Sequence, residues 1–509
     1  MGKIVTKNEF KIVREQLRTE GKKVVLCHGV FDLIHPGHII HFEQAKKMGD
    51  VLVVSITSEK FVRKGPGRPY FNDEMRMKFL KAIEYIDYVM LSEGYTVDDI
   101  VEVVEPDLYI KGEEYSNEEE DITENMTLER QLVEKHGGKV AYTTGQTFSS
   151  TKLINTALSG LPDDVKSYME EMKSRYSMED IKRYADMASD LKVLVIGDTI
   201  IDKYTYCDMQ GMMSKDMGYS ARLSHSEEYL GGAAAIARHL SSFAGNVMLM
   251  SIIGNEEKIK RKMLAELSEK VDLELTYSQK FPTIIKRRYL TRDEKREEYR
   301  KIFATNNIPD PPGFEDGARS RFLDKLSESI LKYDAVFLCD FGHGLVDEEV
   351  MSIVQEKAKY LVLNCQTNSS NKGMNIITKY TKADVFTLDQ QELSLAYPVY
   401  RKDDREKLAM LSRRLSGNGW LTRGSMGAYG IDDGNIHECP AFTLTVKDTV
   451  GAGDAFYSVA GIFAAAGAPI EIGTFMGNVG GALGANIVGN RESVEKVNAL
   501  KFASTLLNV

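Results

Sequence analysis

The chain has 509 residues, of which 43% are hydrophobic and 28% are charged, a composition typical of a globular protein with two or three domains. Its formal net charge of −10 argues against a non-specific nucleic-acid surface, and no apolar run approaches the roughly 20 residues of a membrane span. The five cysteines are scattered and form no Cys-x-x-Cys motif. We therefore expect reduced thiols and a cytoplasmic protein without nucleic-acid or membrane partners.

The first part of the chain alternates short apolar segments with helical patterns, which predicts a parallel α/β sheet with right-handed crossovers. We expect strands at residues 23–27, 51–56, 88–91, 108–110 and 140–143. We expect helices at residues 7–20, 39–48, 73–83 and 97–104. Ligands of such sheets bind beyond the carboxyl ends of the strands, and His35, His38 and Lys111 fall at that edge.

Two histidines three residues apart, His35 and His38, lie where the first apolar strand ends and a helix begins. A helix start offers free backbone N–H groups and a positive dipole end, which suit a phosphate. Imidazoles at this place can donate hydrogen bonds to a charged phosphoryl transition state without being consumed. The pattern therefore predicts a phosphate site.

Residues 22–155 resemble the nucleotidyltransferase family that carries a His-x-Gly-His signature. That family includes glycerol-phosphate cytidylyltransferase and the adenylyltransferase half of the bifunctional ADP-heptose synthases. The segments that carry the resemblance are 29–32, 35–38, 45–50, Arg76, 110–112 and 148–152. The resemblance implies a Rossmann-like domain in which a sugar-phosphate oxygen attacks the α-phosphorus of a nucleoside triphosphate and pyrophosphate leaves.

This reaction needs no covalent intermediate, so the enzyme catalyses it by positioning the reactants and neutralising their charge. The resemblance implies that His35 and His38 contact the triphosphate and that Arg76 acts on phosphates. Lys46 or Lys47 would hold the incoming phosphate. Thr151 and Ser150 would form a second anion cradle at a helix start. The residues implied to bind the nucleotide are Gly29, Val30, Phe31, Lys111 and Ser150. Magnesium would bridge the triphosphate, and no protein ligand is assigned to it here.

A charged helical segment separates this region from a second set of strand signals, which restarts at residues 193–198. We therefore divide the chain into a nucleotidyltransferase domain at 1–157, a helical linker at 158–177 and a second α/β domain at 178–509. Further strands are expected at 247–253, 335–339, 360–364 and 385–388, with a Lys- and Arg-rich hairpin at 277–300.

A run of small residues at 448–456, Asp-Thr-Val-Gly-Ala-Gly-Asp-Ala-Phe, leads directly into a helical pattern. The backbone N–H groups of Gly451, Ala452 and Gly453 would form an anion hole at the start of that helix. Asp454 is then placed to take a proton from a substrate hydroxyl while a γ-phosphoryl group is transferred. The pattern indicates a phosphotransferase site.

Together with Gly-containing segments at 197–198, 231–234 and 422–427, this motif resembles the ribokinase-like (PfkB) carbohydrate kinases over residues 190–509. The resemblance implies a ribokinase-like α/β domain in which Asp454 is the base and Glu392 acts on magnesium and phosphate. Besides the anion hole, the implied nucleotide-binding residues are Thr422, Gly424 and Gly427. The implied sugar or sugar-phosphate residues are Asp198, Asp202, Gly231, Gly232, Lys286 and Arg288.

The chain departs from the kinase pattern at the sugar end. Ala235 stands where the relatives usually have an Asn that holds sugar hydroxyls, and Asn364-Cys365-Gln366 replaces an Asp-Pro-Lys type segment. The catalytic end around Asp454 is intact. The resemblance therefore predicts a kinase and leaves its sugar open.

A kinase and a nucleotidyltransferase on one chain imply consecutive steps that make a nucleotide-activated sugar. Our first hypothesis is an enzyme of the ADP-heptose synthase type with the domain order reversed, using ATP and Mg²⁺. A second hypothesis is a CTP-dependent cytidylyltransferase for a polyol phosphate, such as glycerol phosphate, fused to its kinase. In a third, the kinase-like domain is a non-catalytic sugar sensor. Because ribokinase-like enzymes are often dimers, we also expect a homodimer.

Overall fold

The computed structural model describes residues 2–62, 68–112, 125–143, 162–215, 217–267, 269–293, 298–308, 317–368, 371–442 and 446–508. The chain divides into two compact units, one formed by residues 1–178 and 500–509 and the other by residues 179–499. Within the described ranges, no helix is both long enough and apolar enough to cross a membrane.

The first unit contains a six-stranded parallel sheet in the order β1-β4-β3-β2-β5-β6. Its strands are β1 (Lys3–Ile4), β2 (Val24–Gly29), β3 (Val51–Thr57), β4 (Tyr88–Ser92), β5 (Leu108–Gly112) and β6 (Lys139–Thr143). Its helices are α1 (Lys7–Thr19), α2 (Pro36–Lys47), α3 (Asp73–Lys81), α4 (Asp98–Val104), α5 (Asn125–Lys135) and α6 (Asp163–Arg175). The expected parallel α/β arrangement is confirmed.

Both faces of this sheet are buried, as the continuous apolar strands predict. Along β2, Val24 and Leu26 pack into one hydrophobic cluster, while Val25 and Cys27 pack into another on the opposite face. The winding direction reverses between β2 and its neighbour β5, because β3 and β4 lie on one side of β2 and β6 lies beyond β5. Ligands of open α/β sheets bind at such a switch point, which is where the histidine loop after β2 emerges.

The second unit contains a nine-stranded sheet in the order β11-β10-β7-β14-β15-β16-β17-β18-β19. Its strands are β7 (Lys192–Gly197), β10 (Asn246–Gly254), β11 (Asp272–Ser278), β14 (Ala335–Asp340), β15 (Leu361–Cys365), β16 (Val385–Asp389), β17 (Asn418–Thr422), β18 (Ala428–Asp432) and β19 (Asn435–Cys439). The sheet is parallel from β11 to β17, and β18 and β19 extend its edge as antiparallel strands. Asp198, Asp340, Gln366 and Asp389 all lie at carboxyl ends of parallel strands.

A second, four-stranded sheet has the order β13-β12-β8-β9. Its strands are β8 (Thr199–Met212), β9 (Tyr219–Gly232), β12 (Ile284–Asp293) and β13 (Glu298–Asn307). The expected Lys- and Arg-rich hairpin exists, but it is formed by β12 and β13, while Tyr277 belongs to β11 of the large sheet. The expectation of one hairpin over 277–300 is therefore corrected, because a turn at residues 279–283 separates two strands of different sheets.

The remaining helices follow along the chain. They are α7 (Met178–Ser189), α8 (Ala233–Leu240), α9 (Glu257–Leu267), α10 (Ala318–Ser329), α11 (Glu348–Lys357), α12 (Gln390–Ala396), α13 (Asp404–Leu415), α14 (Ala452–Ala465), α15 (Ile470–Gly484) and α16 (Lys496–Leu507). Helices α14 and α15 pack closely because small residues line their contact, where a Cβ at Gly477 would press on Ala460 and Phe456.

Candidate active sites

In the first unit, the structure brings the two predicted histidines together at the start of α2. His35 is the N-cap residue with an extended backbone, and Pro36 opens the helix. The rings of His35 and His38 stack with their centroids 3.8 Å apart and 23° between their planes. Phe31 packs edge-on against His38 at 5.3 Å. Burial lowers the pKa of His35, which favours a neutral ring near pH 7.

The loop that carries these histidines is fixed by two buried charged side chains. Asp32 is 4% exposed and accepts hydrogen bonds from the backbone N–H groups of Tyr70 and Phe71, at 2.7 and 3.0 Å. Arg76 is fully buried on α3, where Nη1 donates to the Val30 carbonyl at 2.7 Å and Nη2 to the Asp73 carboxylate at 2.5 Å. Arg76 therefore positions the backbone of the loop that carries the histidines, and its predicted action on phosphates stays a prediction.

Lys46 does not lie with the histidines, so its predicted catalytic role is corrected. Eight residues of α2 separate it from His38, a rise of about 12 Å along the helix axis. Its Nζ donates to the Asp50 carbonyl at 2.6 Å and to the Asp87 carboxylate at 2.5 Å. Asp87 precedes β4, so Lys46 lies at the amino ends of the strands, at the edge opposite to the histidine loop.

Lys111 lies near the end of β5, next to the switch point, as expected. Its Nζ forms an ion pair of 2.8 Å with Glu129 of α5, and Tyr109 donates to the same carboxylate at 3.0 Å. Sequence reasoning missed Glu129, because a lone acidic residue on a helix carries no motif. Ser150 and Thr151, together with the helix expected after them, lie outside the described residues.

In the second unit, Asp454 lies in the first turn of α14, with Gly451 as the N-cap. Gly451 has a φ of 86°, a conformation that favours glycine, and a Cβ there would meet the side chain of Asn490. Gln366 Nε2 donates a hydrogen bond of 2.8 Å to Asp454 Oδ1. Burial raises the pKa of Asp454 to about 6, with Gln366 and Lys286 opposing the rise and Asp202 adding to it.

The predicted sugar residues gather around the same carboxylate. Asp202 on β8 is 4% exposed, forms an ion pair with Arg288 of β12, and accepts a hydrogen bond from Asn490 Nδ2 at 3.3 Å. Gly231 lies against Asp202, and a Cβ at this position would collide with the carboxylate. Burial lowers the pKa of Lys286, while the charges of Asp202, Asp198 and Asp454 oppose that shift.

Asp198 lies deeper in the same site, at 2% exposure after β7. Burial and the nearby Asp340 carboxylate raise its pKa to about 7, and the His343 backbone N–H donates to its Oδ2 at 3.2 Å. His343 is itself buried, and its pKa is lowered to about 3 by burial and by the charge of Lys286. His343 was not predicted, because a single histidine between two glycines gives no signal by itself.

Glu392 is part of a capping box at the start of α12. Its two carboxylate oxygens accept hydrogen bonds from the backbone N–H groups of Thr367 and Asp389, at 2.8 and 2.9 Å. Burial and the neighbouring Asp389 carboxylate raise its pKa above the ordinary value. The described residues hold no cluster of three His, Cys, Asp or Glu side chains that could bind a metal. The Glu392 carboxylate is an oxygen ligand of the kind that Mg²⁺ prefers.

The predicted nucleotide turn after β17 is also formed. Thr422 Oγ1 donates to the Leu388 carbonyl at 3.4 Å, and the Arg423 N–H donates to the Gly427 carbonyl at 2.7 Å. Gly424 and Gly427 have φ values of 58° and 86°. These positive angles explain the glycines of this turn.

A sequence model described as "pfkB family carbohydrate kinase" matches residues 190–496. The chain belongs to the pfkB carbohydrate kinase family. Ahead of this region, a model described as "Cytidylyltransferase-like" matches residues 26–156. The prediction of one domain from a nucleotidyltransferase family and one from a carbohydrate kinase family is therefore confirmed.

The N-terminal part of this pfkB-family chain is similar to proteins named "Bifunctional protein HldE". The protein from Desulfatibacillum aliphaticivorans is 36% identical over 155 residues, which are 30% of this chain and 30% of that protein. The one from Hahella chejuensis is 37% identical over 138 residues, 27% and 28% of the two chains. These alignments thus span less than a third of the curated relatives.

Among solved structures, a point mutant of phosphofructokinase-2 from Escherichia coli is similar to this pfkB-family chain with a TM-score of 0.50 and 14% identity. The alignment covers 62% of this chain and 99% of that one. At this identity the likeness concerns the fold, and together with the family match it confirms the expected ribokinase-like α/β domain.

Proposed function

We propose that the second unit transfers a phosphoryl group from ATP to a sugar hydroxyl. The observation that carries this proposal is the position of Asp454 in the first turn of α14, facing Asp202 and Lys286. The Asp454 carboxylate takes the proton of the acceptor hydroxyl as its oxygen bonds to the γ-phosphorus. The backbone N–H groups at the start of α14 stabilise the charge that develops on the phosphoryl oxygens, and ADP leaves. Magnesium, when bound, neutralises charge on the triphosphate.

In the first unit we propose nucleotidyl transfer to a sugar phosphate. A phosphate oxygen of the acceptor attacks the α-phosphorus of the nucleoside triphosphate, and pyrophosphate leaves. His35 and His38 face the triphosphate from the start of α2 and donate hydrogen bonds to its oxygens. The stacked rings and the buried Arg76 fix the loop before the substrate arrives.

We propose further that the two units serve one nucleotide-sugar synthesis of the ADP-heptose type. Along the chain, the transferase domain precedes the kinase domain. In this scheme the kinase phosphorylates O1 of a heptose 7-phosphate, a separate phosphatase hydrolyses the 7-phosphate to release inorganic phosphate, and the transferase adenylylates the resulting sugar 1-phosphate. The HldE relatives of the first unit and the pfkB match of the second support this pairing. We also propose a cytoplasmic homodimer that uses ATP and Mg²⁺.

The kinase assignment is tested by measuring ADP formation from ATP with a panel of sugars and sugar phosphates that includes heptose 7-phosphate. We expect turnover with at least one of them and its loss in Asp454→Asn. Turnover that survives in Asp454→Asn would contradict the assignment of the base. An absence of turnover with every sugar would favour the third hypothesis, the sugar-sensing domain.

The nucleotidyltransferase assignment is tested by measuring pyrophosphate release with ATP and with CTP, using heptose 1-phosphate and glycerol 3-phosphate as acceptors. We expect ATP with the heptose phosphate to give the highest rate, and His38→Ala to abolish it while ADP formation by the kinase is unchanged. The description of the family model as cytidylyltransferase-like favours one second candidate, the CTP-dependent polyol-phosphate enzyme. A higher rate with CTP and glycerol 3-phosphate would select it.

A further inference from the structure

Gln366 occupies a position from which it controls the orientation of the proposed base. Its Nε2 donates a hydrogen bond of 2.8 Å to Asp454 Oδ1, and the hydrogen bonds among the described residues leave Oδ2 available to the acceptor. We propose that Gln366 is a positioning residue that holds one oxygen of Asp454 so that the other faces the acceptor hydroxyl. This inference rests on the proposed kinase function and adds a residue to its machinery.

The backbone of Gln366 is itself fixed at the end of β15. Its N–H donates to the Asp340 carbonyl at 2.8 Å, and its carbonyl accepts a hydrogen bond of 3.0 Å from Asn375 Nδ2. The same Asn375 amide also donates to the Asp340 carbonyl at 3.1 Å and to Asp340 Oδ1 at 3.2 Å. Asn375 thus links the backbone of Gln366 to the neighbouring strand β14.

Asp340 anchors this arrangement from a fully buried position. Its Oδ2 accepts hydrogen bonds from Tyr380 at 2.7 Å and from Lys379 Nζ at 2.6 Å, and Lys379 also donates to Asn375 Oδ1 at 2.7 Å. A buried carboxylate with this many donors is held in one orientation. The amide of Gln366 therefore projects from a rigid support.

The residue after Gln366 connects the support to the other carboxylate of the site. The Thr367 N–H donates to Glu392 Oε1, and Thr367 Oγ1 donates to the Asn375 carbonyl at 2.9 Å. Two successive residues therefore hold the two carboxylates of the site. Gln366 contacts the proposed base, Asp454, and Thr367 contacts Glu392. Their spacing is set by backbone geometry, which suits a transfer that depends on alignment.

The charges around Asp454 explain why an uncharged donor is useful there. Asp202 raises the pKa of Asp454 and Lys286 lowers it, while the charge of Asp454 in turn raises the pKa of Glu392. Cys339 on β14 and Tyr457 on α14 are buried neutral groups whose pKa values are raised. The N–H of Gln366 stabilises the carboxylate without adding a charge, which keeps the base ionised and still basic.

Three variants of the full chain test this inference: Gln366→Leu removes the donor at similar size, Gln366→Lys retains a donor, and Gln355→Leu is the matched control. Gln355 lies on α11, where its amide oxygen accepts backbone hydrogen bonds from Thr381 and Lys382 away from Asp454. For Gln366→Leu we expect kcat to fall about 10- to 100-fold with KM values within about twofold of the parent, and the acid limb of kcat/KM to move to higher pH. For Gln366→Lys we expect kcat within about fivefold of the parent and the acid limb at lower pH.

Crystal structures of Gln366→Leu and of the parent provide a readout that needs no substrate. We expect the Asp454 carboxylate to rotate in the Leu variant. An unchanged Asp454 rotamer, or an equal loss of kcat in Gln366→Leu and Gln355→Leu, would overturn the positioning role. Lack of turnover by the parent with every sugar would instead overturn the proposed function, and the rotamer comparison would still decide the inference.

Discussion

Asp454 is a carboxylic acid whose neighbours act on its pKa in opposite directions. Burial and Asp202 raise the pKa, Gln366 and Lys286 lower it, and the balance is a pKa of about 6. An aspartate with its ordinary value near 4 would be a weaker base for a sugar hydroxyl, and a higher value would leave it protonated at neutral pH. The surroundings therefore bring the pKa of Asp454 closer to neutral pH.

We predict that the kinase rate falls as the pH is lowered through 6, because the base must be ionised and its pKa is raised to about 6. Below that pH, kcat/KM for the sugar should fall about tenfold per pH unit as the protonated fraction grows. The measurement is ADP formation between pH 5 and 8, with circular dichroism at each pH as the control for unfolding. A rate that stays constant from pH 5 to 7 would contradict the role of Asp454 as the base.

At the level of single residues, the sequence predicted the positions that follow from a local pattern. His35, His38 and Asp454 lie at helix starts, and their neighbours along the chain define the site. Lys46 was misplaced because it is close to His38 in the sequence but about two helical turns away from it on α2. Gln366 could not be assigned because its partner, Asp454, is 88 positions away in the sequence.

At the level of elements, the loop between β2 and α2 depends on a helix that follows it much later in the chain. Arg76 of α3 reaches the Val30 carbonyl, and Asp73 of the same helix binds Arg76, Ser58 Oγ and the Glu59 N–H. The parallel strands were predictable from their apolar runs, since both faces are buried. The 14-residue strands β8 and β9 were not predicted, because their far ends, at 208–212 and 219–226, are largely exposed and show no apolar alternation.

We predict that Arg76→Met abolishes pyrophosphate release and destabilises the first unit by about 3 kcal/mol, since it leaves Asp73 and the Val30 carbonyl without their buried partner. The two measurements are the rate of pyrophosphate release without urea and the urea concentration at the midpoint of the change in tyrosine fluorescence. Lys78→Met on the same helix is the control, because its exposed pair with Glu74 should contribute little to stability. Pyrophosphate release near the parental rate in Arg76→Met would refute the positioning role.

At the level of the whole molecule, each of the two units has hydrophobic clusters of its own among the described residues. The clusters of the first unit contain Leu26 and Val25, while the large cluster of the second contains Leu338 and Leu363. Sequence patterns predicted both folds, since each region carries its own motifs. They could not predict the sugar, because the residues that would contact it come from β7, β8, β9 and β12 and meet only in the folded chain.

Separate cores predict separate thermal inactivation of the two activities. Leu26→Ala removes a fully buried side chain of the first unit and should cost about 2–5 kcal/mol there, lowering the temperature at which pyrophosphate release is lost. Leu338→Ala does the same in the second unit and should lower the temperature at which ADP formation is lost. Each variant is heated as the full chain, and both activities are assayed on the same samples. Because cooperative unfolding is a property of a core, each substitution should spare the other activity. If either one lowered both temperatures equally, the two units would unfold as one.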